Sequence, residues 1–133
     1  MVQAASQTTV RLTSIAPQFI VPSVVQAAEF YRDKLGFSIL GYYGNPPFYA
    51  SVFRDAVRIH FRHDDRTDRD QSFRLDEEHL DAYIRVTGID DLYAHCVAQN
   101  IQMVRPLGKM PWGATEFVIR DSSGYLLCFG EDR

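Results

Sequence analysis

One pattern occurs twice in this chain, and few folds can accommodate it. A short apolar strand, a helix and three further strands run from about residue 16 to 63, and the same order returns over about 79–131. The helix exits superpose the halves, because Gly36 ends the first helix and Asn100 the second, a spacing of 64 residues. This is a duplication of pattern rather than of identity. One helix cannot cover both faces of its own strands, so the halves are expected to share a curved mixed sheet with both helices on its outer face. The fold class expected is therefore α+β. All 133 residues fit a single domain made of module one (about 16–63), a connector (64–78) and module two (about 79–131).

The local signals are specific. Phe19-Ile20-Val21 reads as a buried strand stopped by Pro22, which cannot donate to a ladder. Ser23 is an N-cap candidate, and Val24, Ala27, Ala28, Tyr31 and Leu35 recur at helical spacing up to Gly36. Strands are predicted over 37–43, 48–54 and 57–63, then again over 79–86, 101–104, 115–120 and 125–129. The second helix is predicted over 89–99. Asp121-Ser122-Ser123-Gly124 is a turn, with Gly124 supplying positive φ. Residues 1 to about 14 read as a flexible lead or a loosely attached edge strand, and the polar connector has one apolar anchor at Phe73 and Leu75.

Charge and composition narrow the function classes. Fourteen bases against seventeen acids leave a net charge of −3, with no dense Lys/Arg stripe, which argues against nucleic acid as a partner. No apolar run approaches the roughly 20 residues needed to span a bilayer. The first residues lack the pattern of a secretory signal. Cys96 and Cys128 read as buried free thiols in a reducing, cytoplasmic setting. Gly-rich phosphate loops, HExxH, CxxC and GxSxG are missing from the sequence.

The tandem pattern resembles the vicinal-oxygen-chelate superfamily, which groups glyoxalase I, extradiol dioxygenases, fosfomycin-resistance and bleomycin-resistance proteins. AAEFYRDKLGF is similar to the family's first helix and its exit. YIRVTGIDDLYAHC and WGATEFVIRDSSGYLLCFGE look most like the bleomycin-resistance branch. The resemblance covers about residues 16–131 and implies a concave groove on the sheet face away from the helices. Fold membership alone leaves both metalloenzymes and metal-free binders open.

Alternation sorts the strand residues onto the two faces. Val57, Ile59 and Phe61 are expected under the first helix, leaving Arg58, His60 and Arg62 for the groove. Ala82, Ile84 and Val86 likewise oppose Asp81, Tyr83 and Arg85. Tyr125, Leu127 and Phe129 oppose Leu126 and Cys128. Ala16, Gln18 and Ile20 point inward from the first strand. The resemblance places the metalloenzymes' ligand positions on Ala16, His60, Asp81 and Cys128, where His or Glu is usual. Ala16 has no ligand atom, and His60, Asp81 and Cys128 form an unusual set whose thiolate would favour zinc. A register shift of two residues would present His79 instead of Asp81.

The ligand-binding candidates are Gln18, Arg58, His60, Asp81, Tyr83, Arg85, Trp112 and Cys128. Trp112, the only tryptophan, lies between Pro111 and Gly113, and the resemblance puts it near the ligand groove as a stacking surface. The arginines could meet an anion or pair with Asp81, and His60 could act as an acid/base or pair with Asp81 or water. Phe48, Tyr49, Tyr42 and Tyr43 add aromatic rings, about half of which belong on the helix side. The leading expectation is metal-independent sequestration of a small, partly aromatic molecule in a groove at a homodimer interface. A neutral or anionic ligand fits the groove arginines at least as well as a cationic one. The alternative is a divalent-metal-dependent lyase or dioxygenase, and a third reading is an interaction surface alone. No catalytic residue is assigned.

Overall fold

Ser23 starts the first helix by accepting a hydrogen bond from the Gln26 N–H through its side chain, at 3.1 Å. In the computed structural model, which describes residues 9–65 and 79–132, that helix is α1 (Val24–Leu35), and Gly36 ends it at φ 72°. The stripe Val24, Ala27, Ala28, Tyr31 and Leu35 is its buried face. The elements before α2 are β1 (Gln18–Val21), α1, β2 (Ser38–Tyr43), β3 (Tyr49–Arg54), β4 (Val57–His63) and β5 (Ala82–Arg85). Then come α2 (Ile89–Ala98), β6 (Gln102–Lys109), β7 (Ala114–Arg120) and β8 (Leu126–Asp132). The tandem βαβββ order is present. Phe73 and Leu75 lie outside the described residues, and 9–17 carry no helix or strand.

The hydrogen bonding divides the strands into two open four-stranded sheets, ordered β1-β4-β3-β2 and β5-β8-β7-β6, rather than one continuous sheet. In each, the first strand runs parallel to the last and the others are antiparallel. What the modules share is a core. Rings and aliphatic side chains from both halves, including Tyr31, Phe61, Ile89, Phe117 and Leu127, join one buried cluster. Burying each such side chain fully is worth about 1.5–3 kcal/mol.

Direct links cross between the modules. Lys34 Nζ donates to Gln99 O at 3.0 Å, and His95 Nε2 lies 2.9 Å from Lys34 O. Two tyrosines join the halves at the buried seam. The Tyr31 hydroxyl donates to Asp121 Oδ2 at 2.6 Å, while Asp121 Oδ1 accepts the N–H groups of Ser123 and Tyr125 and shapes the β7–β8 turn. Tyr125 stacks on Phe19 with ring centroids 4.2 Å apart, and its hydroxyl both accepts from Ile20 N and donates to Ile20 O.

Strand boundaries differ from expectation at β5, at β6 and at β8, which runs on to Asp132, and the first two have a physical reason. β5 begins at Ala82 rather than 79, because β8, its one partner among the described residues, begins at Leu126. β6 extends to Lys109 through Pro106. It is an edge strand, and register shifts between Met103 and Gly108 accommodate a residue without an N–H. α2 has Gly88 at its N-cap, so no side chain of its own can cap it. Glu131 from β8 accepts the Ile89 N–H at 3.0 Å instead. Among the described residues no helix is long and apolar enough to cross a membrane.

Candidate functional site

Each sheet keeps one face on the core and turns the other away from its helix. In β4, Ile59 and Phe61 are buried, whereas Arg58 and Arg62 are exposed and His60 is half-buried. Directly paired positions share a face, so Gln18 lies beside His60 across β1–β4, and Ser51 lies beside it across β3–β4. The His60 ring shares a hydrogen bond at Nδ1 with the Tyr49 hydroxyl, 2.6 Å away, rather than pairing with Asp81. Phe53 and Tyr43 continue this outer face, opposite Arg58 and Tyr49.

The outer face of the second sheet is organised around a residue that sequence reasoning missed. Glu116 in β7 is only 2% exposed, and four side chains converge on its carboxylate. Trp112 Nε1–H donates to Oε2 at 2.9 Å and the Tyr83 hydroxyl to the same oxygen at 2.7 Å. Arg105 Nη2 reaches Oε1 at 3.2 Å, and the Cys128 thiol meets it at 3.5 Å. Burial opposes ionisation of Glu116, but the hydrogen bonds from Trp112, Tyr83, Arg105 and Cys128 outweigh it and hold the carboxyl below its usual range. Its partners are held in their protonated forms. Desolvation, then the bond to Glu116, pushes Tyr83 up to about 12. Burial, then the Glu116 charge, pushes the Cys128 thiol to about 12.

Local backbone features make this convergence possible. Met110 and Ala114 close a tight hairpin between β6 and β7, and Gly113 adopts φ 102° within it, so Trp112 folds back over β7. Gly130 leaves room for Tyr83 to cross β8, since a Cβ there would lie 2.0 Å from the phenol oxygen. The indole N–H is fixed, yet Trp112 remains 68% exposed. The result is an oriented, largely bare aromatic surface above a buried carboxylate.

The other candidates are placed differently. Asp81 accepts the Leu126 N–H at 2.8 Å, and its charge is felt by Asp121 and Tyr31, so it serves the β7–β8 end of the module. Arg85 pairs with Asp132 at the far end of β8. Arg58 and Arg62 flank His60 along β4. Thus Tyr83, Trp112 and Cys128 meet around Glu116, Gln18 sits with His60 on the other sheet, and Asp81 and Arg85 have structural partners. The signal for Glu116 was present as a carboxylate between Ala114 and Val118 on one face of a largely apolar strand. The signal for Arg105 was weaker, because the extended β6 that carries it was not anticipated.

His60, Asp81 and Cys128 are not brought together as a ligand set within the chain. Among the described residues, no group of three or more His, Cys, Asp or Glu side chains could hold a metal ion. Cys128 Sγ lies 3.5 Å from Glu116 Oε1, Asp81 is engaged by backbone, and His60 lies on the other sheet.

A family model described as the glyoxalase/bleomycin resistance protein/dioxygenase superfamily matches residues 11–129. No curated protein sequence matches the chain. Among solved structures, the bleomycin-binding protein of Streptomyces verticillus, complexed with copper(II)-bleomycin, is 23% identical with a TM-score of 0.69, covering 90% of this chain and 96% of that one. The bleomycin resistance determinant encoded on transposon Tn5 is 18% identical with a TM-score of 0.72, covering 92% and 99%. A glyoxalase/bleomycin resistance protein/dioxygenase from Alicyclobacillus acidocaldarius is 20% identical with a TM-score of 0.74, covering 90% and 91%. At these identities the likeness concerns the fold.

Proposed function

The chain belongs to the glyoxalase/bleomycin resistance protein/dioxygenase superfamily, and from that membership we propose that it binds and sequesters a small, partly aromatic molecule without a metal. The observation that carries this reading is Trp112, whose N–H is anchored on buried Glu116 while its ring is 68% exposed. A side chain already held in one orientation loses little freedom when a flat ligand stacks on it. Such stacking contributes about 0.5–1.5 kcal/mol beyond the area it buries.

The ligand groove forms at a homodimer interface, where the outer face of sheet one in one copy meets that of sheet two in its partner. Tyr43, Phe53, Tyr83 and Trp112 are exposed on these faces, and apolar surface of this kind is commonly covered by association. Gln18, His60 and Tyr83 orient the ligand, Arg58 supplies positive charge from the same face as His60, and Cys128 lies beneath the ring. Asp81 and Arg85 hold the frame at the two ends of β5. The free, buried cysteines suit a cytoplasmic protein. The relatives known by name for binding or resisting bleomycin lend the reading its ligand scale.

Quenching of Trp112 emission across a library of planar compounds tests it, since the signal has a single source. Saturable quenching by chelator-treated protein is expected, together with a dimer in sedimentation. Stoichiometric bound metal that is lost when His60 and Asp81 become alanine would sink the sequestration reading in favour of metal chemistry. A strictly monomeric protein that still binds would remove the interface groove.

A further inference from the structure

The duplicated modules meet at a seam whose two ends should be equivalent, and they are not. Counting from the helix caps Ser23 and Gly88, Tyr31 corresponds to Cys96. Counting from the paired residues Ser51–His60 and Val118–Cys128, Arg54 corresponds to Asp121 and Val57 to Tyr125. Counting from Gln18–His60 and Tyr83–Cys128, Phe19 corresponds to Ile84.

At one end these positions fill the seam. Tyr31 bonds Asp121, and the Tyr125 ring stacks on Phe19 and bonds the β1 backbone. At the other end every equivalent residue but one is smaller. Cys96 replaces a phenol, Val57 replaces the Tyr125 ring and Ile84 replaces Phe19. Arg54 stands where the other end has a carboxylate. A cleft of about 970 Å³ opens there, against about 540 Å³ at the filled end. Its floor is apolar, from Phe37, Val57, Ile84 and Phe129, with Arg54, Asp91 and His95 at its polar margin.

The guanidinium of Arg54 is committed only in part. Nη1 donates to Leu35 O at 2.8 Å, and among the described residues Arg54 has no carboxylate partner. Arg85, also in the cleft, is paired with Asp132. Asp55 and Asp91 line the cleft too, and Arg54 is its guanidinium without a carboxylate partner among the described residues. An arginine fork with free donors matches a carboxylate in geometry and charge.

We propose that this open end of the seam is a binding site for a small arene carboxylate, its ring in the space that Tyr125 fills at the closed end and its carboxylate on Arg54. The site lies on the core side of the sheets, away from Trp112, and is independent of the groove proposed above. Such a ligand would complete the packing that the duplication leaves unfinished.

Amide NMR shifts of the full chain, titrated with 4-hydroxyphenylacetate, test the proposal. Saturable shifts are expected around Gly36, Phe37, Gly88 and His95. The uncharged 4-hydroxyphenylacetamide, and the Arg54→Gln variant with the acid, should each bind about tenfold or more weakly, the loss of one good charged contact. Val57→Tyr copies the closed end and should abolish the shifts while the spectrum elsewhere stays folded. Equal binding of acid and amide, shifts confined to residues around Trp112, or no saturable shift at the seam would each overturn it.

Discussion

The Trp112 indole donates to Glu116 Oε2 at 2.9 Å, joining a mostly exposed ring to a carboxylate that is 2% exposed. Four donors satisfy that carboxylate, and Arg105 balances its charge. The outer face of sheet two thereby carries an ordered polar cluster beneath an exposed aromatic ring.

Replacing Glu116 should loosen the whole cluster. Glu116→Ala removes the acceptor that Trp112, Tyr83, Arg105 and Cys128 share and frees the indole, at a cost of about 1–3 kcal/mol. The denaturant midpoint should fall with an unchanged slope. The Trp112 emission should also lose its dependence on folding, because the ring no longer has a fixed position.

Gly130→Ala tests the passage of Tyr83 over β8. The added Cβ would lie 2.0 Å from the phenol oxygen, so the exposed ring must swing outward and release Glu116. The expected outcome is a folded protein with weakened ligand binding, reproduced by Tyr83→Phe to the extent that the hydroxyl matters.

The alkaline limb of stability follows from Tyr83. Its folded pKa, raised from 10.0 to about 12 by desolvation and then by Glu116, means the neutral phenol is favoured in the native state. That contribution is fully present below pH 10 and is lost as pH rises through about 12. Tyr83→Phe should flatten this limb in a pH series of chemical melts, although Tyr31, also raised by burial, keeps part of it.

Tyr31→Phe probes the closed end of the seam. It leaves Asp121 Oδ2 without its cross-module donor in a buried site, costing about 1–3 kcal/mol near neutral pH. The loss should shrink as pH falls and Asp121 is protonated, because a carboxylic acid has less need of that donor. Burial, the leading influence, already raises the Asp121 pKa, so the effect fades at a higher pH than for an ordinary aspartate.

Much of the fold was legible in the sequence because its signals are local. The α1 stripe, its Ser23 cap and its Gly36 exit lie within a few residues of one another, and the alternation in β4 separates Ile59 and Phe61 from Arg58 and His60. Of the cluster around Glu116, alternation pointed to Tyr83, and the resemblance to Trp112 and Cys128. Their meeting point stayed hidden because Glu116 gathers donors from four separate segments, which no spacing rule connects. The same holds for Glu131, which caps α2 across 42 residues, and for Asp81, whose backbone partner Leu126 lies 45 residues on.

The central claim is that Trp112 on its Glu116 anchor is the ligand platform and that binding needs no metal. Calorimetric titration of the best quenching compound into chelator-treated wild type and Trp112→Ala protein measures both parts together. The account predicts saturable binding in the wild type and an affinity about tenfold or more lower in the variant, matching the stacking contribution with its buried area. Binding that appears only after a divalent cation is added, or that is unchanged in Trp112→Ala, would contradict it.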